Sequence, residues 1–364
     1  MYNMDTMPLR KGHIWILIIA SAGQFFGGVL AILVGVIAPL ITITHHPELS
    51  SWLQGFIFSA GLIGIMLGSL LFGRLSDKYG YLFFFRLSPL LIVGSSLWLC
   101  FNPSLVTLPI NLLIIGLAIG GDYALDPSYV SEIMPQKWRR TMLGISKASS
   151  GVGNILMILV AWFVLKNSAD PAIWNRLFLF LTFFAALAFS GRLWFVESPE
   201  WLALHGKVQE AEKNIKHFLG KDVYIGELAN KKDQTTRPQA SAKDLFARGN
   251  IKRILLSGIP WGCEGMGVYG IGIFTPILLL TLGLVPSGEN PFDKVVESFR
   301  FTLYINLFVM LGFLLGLTVV RRISIIHTQS TGFFICAAGL IITLLGYLYH
   351  ASLGITLGGF LLFE

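Results

Sequence analysis

Charge is what this sequence has least of. Asp, Glu, Lys and Arg make up only 13% of its 364 residues, well below the ~25% of a soluble globular domain. Cysteine is rarer still. Cys100, Cys263 and Cys336 are too few for a disulfide scaffold and lack the paired spacing of a zinc site. All three fall in or at the edge of apolar runs and read as packed core residues. The sequence has no phosphate-cradling loop, no nucleophile elbow and no metal-ligand spacing. It is therefore not expected to be an enzyme, and neither a cofactor nor a metal is expected. Nor is a cleavable leader expected: the first apolar block is too long for one, and no small-residue cleavage site follows it.

Hydrophobic residues are abundant, at 54%, and they come in blocks. Nine complete segments cover 14–42, 52–73, 82–101, 106–130, 141–165, 177–196, 254–282, 301–320 and 331–349. Each is long enough to cross hydrocarbon, which takes ~20 apolar residues. A tenth begins near Leu353 and stops at Glu364, too short to span at about 1.5 Å per residue. The expectation is a chain truncated in its tenth span, either a fragment of a longer protein or a product that does not transport.

The net charge of +7 raises nucleic acid as a partner, but its distribution argues otherwise. Arg10 and Lys11, then Arg74, Lys78 and Arg86, then Lys137, Arg139 and Arg140, the 197–253 loop, and Arg321 with Arg322 occupy alternate connectors. The opposite connectors hold only Lys166, Arg176, Lys294 and Arg300. This positive-inside asymmetry places the N-terminus in the cytoplasm of a multi-pass cell-membrane protein. No nucleic-acid partner is expected.

The long loop divides the chain into an N-terminal six-helix bundle (1–196), a cytoplasmic loop with short helices (197–253) and an incomplete C-terminal bundle of three spans and part of a fourth (254–364). Within the loop, Ser198 caps a helix with Pro199 at its first position, running through Trp201 to about Phe218 and ending at Gly220. Residues 229–240 read as a linker, and Ser241 as the cap of a second short helix. Glycine is frequent inside the spans, where it lets helices approach or bend. The clusters at Gly27, Gly28 and Gly35, at Gly116, Gly120 and Gly121, and from Gly265 to Gly272 fit helices that flex around a cavity.

An ionisable group inside a span costs about 2.5–3.5 kcal/mol on insertion scales, so it usually has a partner or a job. Asp122, beside Tyr123, follows Gly120-Gly121 in the fourth span, and Asp126 lies one turn on. Lys147 is in the fifth span and Glu264 in the seventh. Counted from Glu132 and Arg139, Asp122 and Lys147 lie about 15 Å and about 12 Å deep. They are expected to face each other, either as a structural ion pair or as a locus where Lys147 meets an anion and Asp122 takes a proton. Trp261 and Tyr269 flank Glu264 as candidate cavity walls. Asp122 and Glu264 are the candidates for proton exchange.

The connectors carry a resemblance. Gly73-Arg74-Leu75-Ser76-Asp77-Lys78-Tyr79-Gly80 is similar to the signature loop of the major facilitator superfamily. Ser131-Glu132 through Pro135 and Arg139 resembles a stretch of its sugar-porter branch, as does Glu197-Ser198-Pro199-Glu200-Trp201-Leu202. The resemblance implies an all-α integral membrane protein with the major facilitator fold, in which two halves rock about a midplane site. It implies that Gly73, Arg74, Asp77, Lys78, Gly80, Glu132, Arg139 and Glu197 form a cytoplasmic gate held by a charge network. Gly120-Gly121-Asp122-Tyr123 resembles the fourth span of phosphate:proton and related metabolite:proton symporters. The family's sugar-binding pattern is not kept: Lys147 stands where its fifth-span glutamine falls. The expected function is secondary transport of a small polar, anionic metabolite, with protons as the coupling ion, by a monomer in the lipid bilayer. Two alternatives stay open: a facilitative or proton-linked sugar transporter, and a non-transporting membrane sensor on the same scaffold.

Overall fold

The computed structural model describes residues 2–45, 50–168, 170–220, 222–224, 246–281, 283, 285, 290–319, 323–349 and 352–363. The expected linker at 229–240, the cap at Ser241 and the basic pair Arg321 and Arg322 lie outside the described residues.

Among the described residues, nine helical segments are long and apolar enough to cross a membrane. The first is two helices, α1 (Lys11–Ala20) and α2 (Ala22–His45), where the sequence reads as one span. The break falls at Ser21, whose carbonyl accepts from the Ser149 hydroxyl at 3.0 Å. Next come α3 (Ser51–Tyr79), α4 (Tyr81–Phe101), α5 (Thr107–Ile133) and α6 (Gln136–Ser168). A 3₁₀ turn (Pro171–Leu177) leads into α7 (Phe178–Arg192), so the sixth span stops short of its expected end at 196. After the loop, the seventh span is α10 (Arg248–Gly265), a π-helical turn (Met266–Ile271), a 3₁₀ turn (Gly272–Phe274) and α11 (Thr275–Thr281). Then follow α12 (Pro291–Val319), α13 (Ile325–Leu348) and the short α14 (Leu353–Phe363). α12 starts ten residues before the apolar run at 301 because its first turns are polar. Pro291 suits a first helical position, and Arg300 pairs with Glu297 at 2.7 Å.

The core runs along α2, which is buried by α5, α6 and α7 before the loop and by Ile273, Val296 and Phe299 after it. α3 and α5 interlock through glycine. A Cβ on Gly64 or Gly68 would strike the α5 backbone, and one on Gly116 or Gly120 would strike that of α3. The fourth-span glycines Gly116 and Gly120 therefore serve close packing rather than flexing around a cavity.

The loop begins with two helices where one was expected: α8 (Pro199–Leu204) and α9 (Val208–Leu219). Ser198 caps α8 as expected, accepting from the Trp201 amide at 3.0 Å. The helix then breaks at Gly206, which has φ +77° and so sits where glycine is favoured. The apolar stripe Ala211, Ile215 and Leu219 of α9 packs against Met4, Met7 and Ile16 under the bundle.

The N-terminal segment ties this loop down. Tyr2–Asn3 (β1) pairs in parallel with Val223–Tyr224 (β2). Arg10 grips Asp222 through two bonds of 2.7 and 2.6 Å and also donates to the Leu219 carbonyl. The guanidinium holds the Asp222 carboxyl down from 3.8 to about 2. A carboxyl depressed by folding contributes stability above its unfolded value and loses it as pH falls through its folded one. Protection of the amides of residues 2–10, measured against the unfolded-chain exchange rate at the same pH, is accordingly expected to hold above 3.8 and to fall as pH approaches about 2. Equally slow exchange in Arg10→Ala would remove Asp222 as the anchor.

Candidate functional site

At one end of the bundle, the basic end, the signature motif is not the connector its sequence suggests. α3 runs on to Tyr79, so Gly73, Arg74, Asp77 and Lys78 ride on its last turns and Gly80 alone makes the corner. Gly80 has φ +93°, and a Cβ there would overlap the Glu197 carboxylate. That carboxylate accepts from the backbone amides of Tyr81 at 2.7 Å and Leu82 at 3.2 Å. It thus caps α4, whose first N–H groups lack helical partners and whose dipole favours an anion. Ser198 donates to Glu132, and Arg139 pairs with Asp5 at 3.0 Å. The Trp201 indole donates to the Asp77 carbonyl at 3.0 Å, and Lys78 lies over the Tyr79 ring at 5.0 Å. Among the described residues no ion pair joins these expected gate residues to one another; Arg139 pairs with Asp5 instead. Among the described residues the carboxylates of Glu132 and Glu197 bind backbone amides and a hydroxyl, while Arg74, Asp77 and Lys78 are exposed.

Deeper in the bundle, the expected pairing of Asp122 with Lys147 is also corrected. Asp122 binds Arg192 of α7 at 2.8 Å, and Asp126 lies 3.5 Å from the same guanidinium. All three side chains are fully buried, at 0% exposure. Arg192 also donates to the Phe85 carbonyl at 2.9 Å and stands over the Phe85 ring. Lys147 sits on another face of α6, open to a cavity. Helix geometry explains the difference: equal depth on consecutive helices does not set the angle at which side chains face. Arg192 lies inside the apolar run 177–196, where hydropathy alone gives it no prominence. A charge within a span, needing a partner, was the available signal.

The cavity has a volume of about 700 Å³, within the ~300–1,000 Å³ of small-molecule sites. Helices before and after the loop line it together. Tyr123, Lys147, Ser150 and Asn154 come from α5 and α6, Glu264 and Tyr269 from the seventh span, Asn306 and Phe313 from α12, and Gln329 and Phe333 from α13. Four of the six expected binding residues thus share it: Tyr123, Lys147, Glu264 and Tyr269. Asp122 lies behind the wall in the buried triad. Trp261, 69% exposed, is outside the lining. Trp261 lies on α10 and Tyr269 eight residues on, in the π turn (Met266–Ile271); eight α-helical residues advance about 80° past two full turns, so that spacing by itself does not put both rings on one face. Such π turns recur at functional sites.

Two contacts join the flanking elements across this space. The Tyr123 and Tyr269 hydroxyls meet at 3.4 Å, and the side-chain amides of Asn154 and Asn306 at 2.9 Å. Toward the basic end, a second void of about 650 Å³ is lined by Lys137, Arg140 and Lys147 on α6 and by Val309 to Leu317 on α12. Lys147, Val309 and Phe313 line both spaces. Toward the other end Ile273 is buried in the core built on α2.

Residues 6–363 match the family model for sugar (and other) transporters. The inner membrane metabolite transport protein YgcS of Escherichia coli is 26% identical over 344 residues, covering 93% of this chain and 72% of that protein. The putative metabolite transport protein YaaU of the same species is 28% identical over 310 residues, with 85% and 66% covered. A D-xylose transporter of Levilactobacillus brevis is 30% identical over 278 residues, with 71% and 57% covered. The chain thus spans from somewhat over half to nearly three quarters of the length of these relatives. Among solved structures, a partially occluded inward-open form of the xylose transporter XylE from E. coli superposes with a TM-score of 0.71. Its identity is 18%, with 96% of this chain and 83% of that one covered. XylE bound to 6-bromo-6-deoxy-D-glucose gives 0.74 at 17% identity, with 96% and 78% covered. Identities this low speak for the fold, and the fold is that of the major facilitator superfamily.

Proposed function

The chain belongs to the sugar (and other) transporter family, and on that premise we propose that it is a secondary transporter moving a small polar, anionic metabolite by alternating access. The observation that carries this reading is the 700 Å³ cavity lined from both sides of the loop, with the Lys147 ammonium on its wall. A site shared by two helix bundles is what a rocking mechanism requires. The second void, with Lys137 and Arg140, offers an anion a basic route to it. The basic end faces the cytoplasm in this reading, so the N-terminus is cytoplasmic. The proposed inner gate comprises Gly73, Arg74, Asp77, Lys78, Gly80, Glu132, Arg139 and Glu197, acting through carboxylates that dock on backbone amides.

Protons are the proposed coupling ion, with Asp122 as the coupling carboxylate. Two carboxylates face one guanidinium without exposure. If both were ionised, a net negative charge would remain uncompensated in a low-dielectric site, at a cost of several kcal/mol. One proton shared by Asp122 and Asp126 neutralises the group. The Ser88 side chain of α4 and the Gly23 backbone of α2 also face it. Glu264, on the cavity wall, is the second proposed proton-exchanging carboxylate.

The test is uptake by the purified chain in liposomes. Lys147→Gln is expected to lower uptake of anions about tenfold, the worth of a charge-assisted hydrogen bond, while sparing neutral solutes. An equal loss for both classes would remove the anion assignment. A sugar is the second reading, favoured by the 30% identical D-xylose transporter. Xylose uptake unaffected by Lys147→Gln, with no anion uptake, would establish it instead.

A further inference from the structure

The cavity holds charges of both signs, one from each side of the loop. Lys147 belongs to α6 and Glu264 to α10, and both line the same 700 Å³ space. Both are exposed to it, and among the described residues no ion pair joins them. Glu264 and the Tyr123–Tyr269 contact line the same space. Aromatic rings face the same space from Tyr123, Tyr269, Phe313 and Phe333.

We propose that this cavity takes a zwitterion, with its acidic group on Lys147 and an ammonium-type group at Glu264 among the aromatic rings. The inference rests on the transporter reading and revises its substrate, from an anion to a solute that carries an ammonium-type group beside its acidic one. A plain anion would satisfy Lys147 but meet Glu264 as a like charge, which is how sites reject a wrong ligand. A sugar leaves both charges unanswered, and desolvated charge without a partner is expensive. An ammonium or alkylammonium group suits both the carboxylate and the ring faces, through cation–π attraction. The arrangement also gives the ligand a mechanical effect. Because its two ends are held by helices on opposite sides of the loop, binding draws those helices together. The ligand then prefers the closed form, and such a differential affinity is what shifts a conformational equilibrium.

The experiment measures binding to the purified full chain for γ-aminobutyrate and glycine betaine (zwitterions), butyrate (anion), tetramethylammonium (cation) and D-xylose (neutral). The better zwitterion is expected to bind at least about tenfold more tightly than either singly charged probe, because it makes two charged contacts rather than one. Glu264→Gln is expected to weaken the zwitterion about tenfold while strengthening butyrate, since a repulsion has gone. A merely structural role for Glu264 would weaken both. Lys147→Gln is expected to weaken the zwitterion and butyrate alike. Butyrate binding as tightly as the zwitterions overturns the inference, as does a zwitterion-to-butyrate ratio that ignores Glu264→Gln. Binding of D-xylose alone also overturns it, and leaves a sugar transporter standing. Flux of the same probes into liposomes is read separately. Zwitterion binding without flux removes the transporter reading but keeps the ligand class.

Discussion

Arg192→Met is expected to cost about 3–5 kcal/mol of stability, because it strands Asp122 and Asp126 with no counter-charge in a fully buried site. The change removes the 2.8 Å bond to Asp122, the 3.5 Å contact with Asp126 and the donor to the Phe85 carbonyl. These contacts lock α7 to α5 and α4. The measurement is the thermal unfolding midpoint of the purified protein, together with its yield from the membrane. A triple variant, Asp122→Asn, Asp126→Asn and Arg192→Met, carries no buried charge and is expected to recover most of the loss, since neutral replacements of a buried ionic group are often tolerated. A midpoint unmoved by Arg192→Met alone would show that the triad is not what joins these helices.

Asp122→Asn has the opposite profile. Asp126 stays as a single counter-ion for Arg192, so the site remains balanced and the protein is expected to fold and insert. What disappears is a carboxylate that shares a proton with its neighbour. Accumulation driven by a proton gradient is therefore expected to fall to simple equilibration, while exchange of substrate across the membrane continues. The assay compares gradient-driven uptake with counterflow in the same vesicles. Full accumulation in the variant would move the coupling site elsewhere, with Glu264 the first place to look. Loss of both activities would make Asp122 structural instead.

The two variants show why some of the site was readable from residues alone and some was not. Composition and hydrophobic blocks suffice for the membrane class and the nine spans, because hydrocarbon demands long apolar helices whatever they pack against. Motifs at the span ends carry the family because they are local: Ser198 caps its helix and Gly80 turns its corner using neighbours a few residues away. Charges inside the spans flag themselves by their cost, as Asp122, Lys147 and Glu264 do.

Partners were another matter. Glu197 reaches the amides of Tyr81 and Leu82 across more than a hundred positions, and the N-terminal segment reaches Asp222 across two hundred. Whether Asp122 meets Lys147 or Arg192 depends on how three helices are rotated about their axes. That rotation is settled by packing, through glycines on α3 and α5 and the break at Ser21, rather than by spacing along the chain. The order of residues dictated what crosses the membrane and where charge is costly, since those follow from transfer free energy and local backbone geometry. Which charges neutralise one another, and which open onto a shared void, emerged only when the helices took their angles in space.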